Sequence, residues 1–147
     1  QLFDDLIHYL SRRGLLTKFL IGGIIHTEML VILKKVVGKK RISNAEIRWR
    51  GVPNPDLTTF WKSMQNFLDG TPGRAIVLGL QGYHDHWTVI EKITSRSILL
   101  YDSALIKRLP RSRCTTVYAA GKRQHILLPA QTYFLSNDDI NIGQYDI

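Results

Sequence analysis

Residues 75–102 read AIVLGLQGYHDHWTVIEKITSRSILLYD, and this stretch decides the fold. Ala75 to Leu80 is a continuous apolar run bounded by Gly73 and Gly82, the pattern of a central strand. His86 to Ile93 is rich in β-formers and alternates in part. Ser97 to Tyr101 follows across the tight turn Thr94-Ser95-Arg96, so the two runs read as a hairpin. Working outward, further short strands are expected near Ala104 to Leu109, Gln124 to Leu128 and Thr132 to Leu135.

The chain before Gly73 has helical spacing instead. Leu2 to Arg13 reads as a helix, with Leu2, Phe3, Leu6, Ile7 and Leu10 on one side, early acids, late arginines and Gly14 as its stop. A second helix is expected from about Thr27 to Val37, ended by Gly38. Glu46 to Arg50 alternates charged and apolar residues as an exposed strand would, and residues 51–55 form a turn. Asp56 then caps a third helix, Leu57 to Leu68, whose apolar face is Phe60, Trp61, Met64, Phe67 and Leu68. Helices first and strands afterwards predict an α+β fold, with N-terminal helices packed on a C-terminal antiparallel sheet. Residues 1–136 read as one domain and residues 137–147 as a loose polar tail.

Composition bounds the function. At 147 residues, 44% hydrophobic and 22% charged, the chain has the balance of an ordinary globular domain with a real core. The longest apolar run, Leu15 to Ile25, is broken by Lys18 and Gly22-Gly23 and is too short to cross a bilayer, so no membrane insertion is expected. Cys114 is the one cysteine, which excludes an intramolecular disulfide and a four-cysteine zinc site and is compatible with a reducing cytoplasm, the compartment expected. The net charge of +8 favours acidic partners, nucleic acid among them, but the basic residues fall in short groups such as Lys39-Lys40-Arg41 and Arg111 with Arg113. A solvated basic surface accounts for them as well. The chain opens on Gln1 rather than Met, so excision from something longer, or a processed start, is expected.

Chemistry-bearing residues are densest at Gly82-Tyr83-His84-Asp85-His86-Trp87, and the next strand ends in Tyr101-Asp102-Ser103. In the hairpin, His86 and Asp102 lie toward the same open end. A carboxylate beside an imidazole fixes its tautomer and stabilises its protonated form, which a base needs when it activates a thiol or hydroxyl. A register slip of one residue would put the two on opposite faces. Taken alone, the cluster also fits a strand-start histidine satisfied by hydrogen bonds. His84 and His86 are two apart on an extended chain with no third ligand placed by spacing, so neither a metal nor another cofactor is expected. His8, His26 and His125 are isolated in sequence and read as structural. Cys114 follows Arg111-Ser112-Arg113, yet no helix N-terminus is evident there, and it reads as a structural thiol. Ser103 lacks a nucleophile-elbow pattern.

The order of helices, then Ala75-Ile76-Val77-Leu78, then His86-Trp87-Thr88-Val89-Ile90, then Leu99-Leu100-Tyr101-Asp102-Ser103 resembles the C-terminal part of papain-like cysteine peptidases. The bacteriocin-processing, double-glycine leader type is the most similar. The resemblance runs in outline from Asp4 to Leu135 and is specific across Ala75 to Ser103. It implies a papain-like fold, His86 as the base, Asp102 as its orienter, and a peptide or protein substrate. Trp87 would wall the cleft or fill the core. In that family the nucleophilic cysteine starts the first long helix, with an oxyanion-hole glutamine a few residues earlier. The first helix of this chain holds no cysteine. The expectation is therefore a cysteine upstream of Gln1, with Gln1 a remnant of the glutamine, or a relative that binds peptide without cleaving it. A non-catalytic module binding peptide or nucleic acid through its basic surface is the alternative. An accessory domain of a larger, membrane-associated secretion protein is a third.

Overall fold

The structure is a computed structural model, and it describes residues 8–15, 17, 24–38, 41–43, 55–102, 105–118 and 124–139. Among the described residues, helices α1 (His26–Val36) and α2 (Leu57–Leu68) accompany eight strands. The strands are β1 (Ile42–Ser43), β2 (Arg74–Gly82), β3 (His86–Ile93), β4 (Ser97–Tyr101), β5 (Arg108–Pro110), β6 (Cys114–Thr115), β7 (His125–Leu127) and β8 (Tyr133–Ser136). Residues 8–12 are also helical. The fold is thus α+β, as the change of pattern at Gly73 predicts. The expected strand at Glu46 to Arg50, residues 51–54 of the turn and the tail beyond Asp139 lie outside the described residues. No helix among the described residues is long and apolar enough to cross a membrane.

The sheet runs β1-β8-β2-β3-β4-β5, with β7 joining β2 and pairing in turn with β6. The β2 strand is long enough to hold two partners on one edge, β8 along Arg74–Val77 and β7 along Leu80–Gly82. Among the described residues all pairings but one are antiparallel; β6 and β7 run parallel. Period-2 alternation then gives the sheet two apolar faces. Ile76, Leu78, Leu80, Ile90, Ile98 and Leu100 pack on Phe60, Trp61, Met64 and Phe67 of α2. Ala75, Val77, Tyr133 and Leu135 pack with Met29, Leu30 and Leu33 of α1. The helices therefore belong to two separate clusters on alternating sets of strand residues, not to one layer laid on the sheet.

Local chemistry explains why α2 forms where it does. Asp56 accepts from the backbone N–H of Thr58 at 2.8 Å and of Thr59 at 3.0 Å, satisfying first-turn donors. At the far side of its apolar face, Trp61 Nε1–H donates to the Thr94 carbonyl at 2.9 Å, which ties α2 to the β3–β4 turn. That turn is held by Thr94, whose Oγ1 accepts from Ser97 N–H at 3.0 Å and Arg96 N–H at 3.2 Å.

Candidate active site

One irregularity in the hairpin decides where Asp102 points. From the turn inward, Ile93 faces Ile98 and Lys92 faces Leu99; beyond the irregularity, Ile90 faces Leu100 and Val89 faces Tyr101. Glu91 is thus one extra residue in β3, a β-bulge. Without it the register set by the turn would put Asp102 opposite Val89, on the face away from His86. With it, the register continues to Thr88 opposite Asp102. Thr88 and His86 are two apart on one strand and share a face.

The two side chains do meet. His86 Nε2 lies 2.7 Å from Asp102 Oδ2. With Asp102 ionised the carboxylate only accepts, so Nε2–H donates and Nδ1 is the ring nitrogen outside this bond; His86 also lines a cleft. Asp102 is held in turn: its Oδ1 accepts from the Ile106 N–H at 3.3 Å. That donor is delivered by Leu105, whose φ of +66° puts a non-glycine residue in left-handed backbone, at a cost of about 1–2 kcal/mol. The Asp102 side chain is 1% exposed and that of His86 25%. The carboxylate is therefore the fixed member of the pair and the imidazole the accessible one.

His86 opens into a cleft of about 290 Å³. Ile24, Ile25, Leu80, Trp87 and Leu128 give it apolar walls, and His26, Gln81, Asp85, His86 and Gln131 supply polar groups. Trp87 is accordingly a wall residue, its Nε1–H donated to the Gln131 carbonyl at 3.0 Å. The turn Pro129–Gln131, which carries Gln131 into the cleft lining, reaches the sheet only because residue 79 is glycine. A Cβ there would lie 2.7 Å from the Gln131 carbonyl oxygen. Asp85 is tied back to β2, its Oδ1 accepting from Gly82 N–H at 3.2 Å.

Two histidines that read as isolated in sequence belong to this region. His26 opens α1 and lines the cleft, with its Nδ1 2.7 Å from the Tyr133 hydroxyl. His125 stacks against His84 at 6.3 Å between ring centroids, and His84 meets His86 edge-on at 5.8 Å. No local motif marks either residue, because α1 carries His26 and β7 carries His125 in from distant sequence. Burial pushes the His125 imidazole below its ordinary value, and the positive charges of His84 and Arg113 add to this. Among the described residues no group of three or more His, Cys, Asp or Glu has the arrangement to hold a metal ion.

Cys114 stands apart. It is buried at the start of β6, its Sγ–H donated to the Pro110 carbonyl at 3.2 Å, and burial pushes the thiol up to about 12. It is not a wall of the cleft. Gln1 lies outside the described residues, so its place relative to His86 is not part of this geometry. Comparison with family models, curated proteins and solved structures gave no match.

Proposed function

We propose that this chain is a papain-like domain that binds peptides in the cleft beside His86, with a base and its orienter but no thiol at the cleft. The observation that carries the reading is the 2.7 Å contact between His86 Nε2 and Asp102 Oδ2, beside the cleft that His86 lines. A base held this way is poised to take a proton from a neighbouring thiol and return it to a leaving amine. None of the described residues that line the cleft carries a thiol, and Cys114 is buried elsewhere.

The resemblance reserves the start of a long helix for the nucleophile. The helix start that shares the cleft with His86 is that of α1, where the walls are Ile24, Ile25 and His26. On this reading the helix start nearest His86 in the cleft is Ile25–Thr27. Neither Ile25 nor His26 has a thiol or hydroxyl, and Thr27 is exposed and not a wall of the cleft. Without that partner the imidazole performs no acyl transfer, and what remains is recognition. The apolar walls take side chains, and Gln81, Gln131 and His86 offer hydrogen bonds to a peptide backbone.

The test is an array of immobilised random octapeptides probed with labelled protein, alongside the same sequences as internally quenched substrates. The expected result is selective capture without cleavage, with capture lost in His86→Ala and in Trp87→Ala. Uniform weak capture that neither substitution alters would remove the reading.

A further inference from the structure

Next to the His86–Asp102 pair is a second cluster that the peptide-binding reading does not use. His84 bridges it to the site, edge-on to His86 at 5.8 Å and parallel to His125 at 6.3 Å. Tyr83 packs on the His125 ring at 4.9 Å. Arg113 precedes Cys114, the register partner of His125 in the parallel β6–β7 pair. Three chain segments thus bring groups that carry or acquire positive charge to one end of the sheet, together with a phenol.

Among the described residues the cluster has no anion paired with it. Arg113, His84 and His125 make no ion pair among the described residues, and the charges acting on His125 are both positive. The nearby carboxylates are committed elsewhere: Asp85 to the Gly82 N–H on the cleft side, and Asp102 to His86 and the Ile106 N–H. Like charges gathered without a counterion are destabilising, and an anionic ligand removes the repulsion. Tyr83 and the imidazoles add hydrogen-bond donors to the charge.

We propose that Tyr83, His84, His125 and Arg113 form an anion subsite that extends the cleft beyond His86 and takes an acidic side chain, Asp or Glu, of the bound peptide. This rests on the peptide-binding reading and narrows its ligand class to acidic peptides. The net charge of +8 favours such ligands in general, so the test separates this subsite from bulk charge.

The probes are octapeptides captured on the array, each resynthesised as a pair differing by one Glu→Gln exchange, with binding read by fluorescence anisotropy at about 0.15 M salt. Wild-type protein should prefer the Glu member by roughly three- to ten-fold, as for a partly exposed charge contact. His125→Gln and Arg113→Ala should remove the preference. Arg96→Ala, which deletes one charge at the far end of the β3–β4 hairpin, should keep it. In the NMR titration of the wild type, the Glu peptide should raise the pH at which the His125 ring protonates. Equal binding of both members, or equal loss in Arg96→Ala, overturns the subsite and leaves the peptide reading standing. Inorganic phosphate displacing the Glu peptide at comparable concentration overturns the assignment to a peptide side chain. Failure of every octapeptide to bind overturns both readings.

Discussion

Replacing Gly79 by alanine perturbs the cleft wall in a way that the geometry quantifies. The added Cβ would lie 2.7 Å from the Gln131 carbonyl oxygen and 2.9 Å from Gln131 Cβ, where ordinary contact begins at 3.4 Å. The neighbouring atom is backbone, so no side-chain rotation relieves it, and the turn Pro129–Gln131 must retreat by about 0.7 Å. That turn is held by three bonds to this point. Leu128 N–H donates to the Gly79 carbonyl at 2.9 Å, Gly79 N–H to Thr132 Oγ1 at 3.3 Å, and Trp87 Nε1–H to the Gln131 carbonyl at 3.0 Å. A retreat of that size carries the tryptophan bond beyond hydrogen-bond reach. Overpacking costs roughly 1–3 kcal/mol and the lost bond about 1 kcal/mol, so Gly79→Ala should destabilise by about 2–4 kcal/mol. Urea unfolding followed by circular dichroism measures this, with an unchanged m-value expected. Peptide capture should fall as well, because Gln131 and Trp87 both line the cleft. A loss below about 0.5 kcal/mol with capture intact would refute the close-approach argument.

Two further expectations concern titrating groups. Cys114, with its thiol pushed up to about 12 by burial, should resist iodoacetamide in the folded protein at neutral pH and react at the rate of a free thiol once unfolded; fast labelling of the native protein would contradict the packing around β6. His125 protonates less readily folded than unfolded, so the unfolded chain takes up its proton first as pH falls. Its contribution is complete above the unfolded value of about 6.5 and is lost as pH drops from there toward the lower folded value. Stability of the wild type should therefore decline more steeply than that of His125→Gln as pH falls below the unfolded value of about 6.5. Identical slopes would show that His125 is as well solvated folded as unfolded.

Much of this architecture is legible in the residues, and the part that is not has a physical reason. The α2 bounds follow from Asp56 and the spacing of Phe60, Trp61, Met64 and Phe67, and the β3 and β4 bounds from the β-formers around Thr94. Other elements are found at shifted limits. The expected Ala104 to Leu109 strand is observed as Arg108–Pro110, and Gln124 to Leu128 as His125–Leu127. The β1 and β6 strands are two residues each and have no periodicity to read. The bulge left a trace: Ile90 and Ile93 are three apart with Glu91-Lys92 between, a break in period 2 that signals one extra residue. Reading that break would have fixed the face of Asp102 in advance. The roles of His26 and His125 depend on long-range pairing, which no local pattern encodes.

The site's architecture is tested most directly by adding what it lacks. Ile25 lines the cleft with His86, is 62% exposed, and caps α1, so a side chain there is free to change. In Ile25→Cys, the His86 imidazole and the positive end of α1 should favour the thiolate, while buried Cys114 stays silent. The measurement is the rate of iodoacetamide labelling at residue 25 against pH. Labelling well above the free-thiol rate at neutral pH, returning to that rate when His86→Ala is added, is the predicted result. A free-thiol rate that does not depend on His86 would contradict the account.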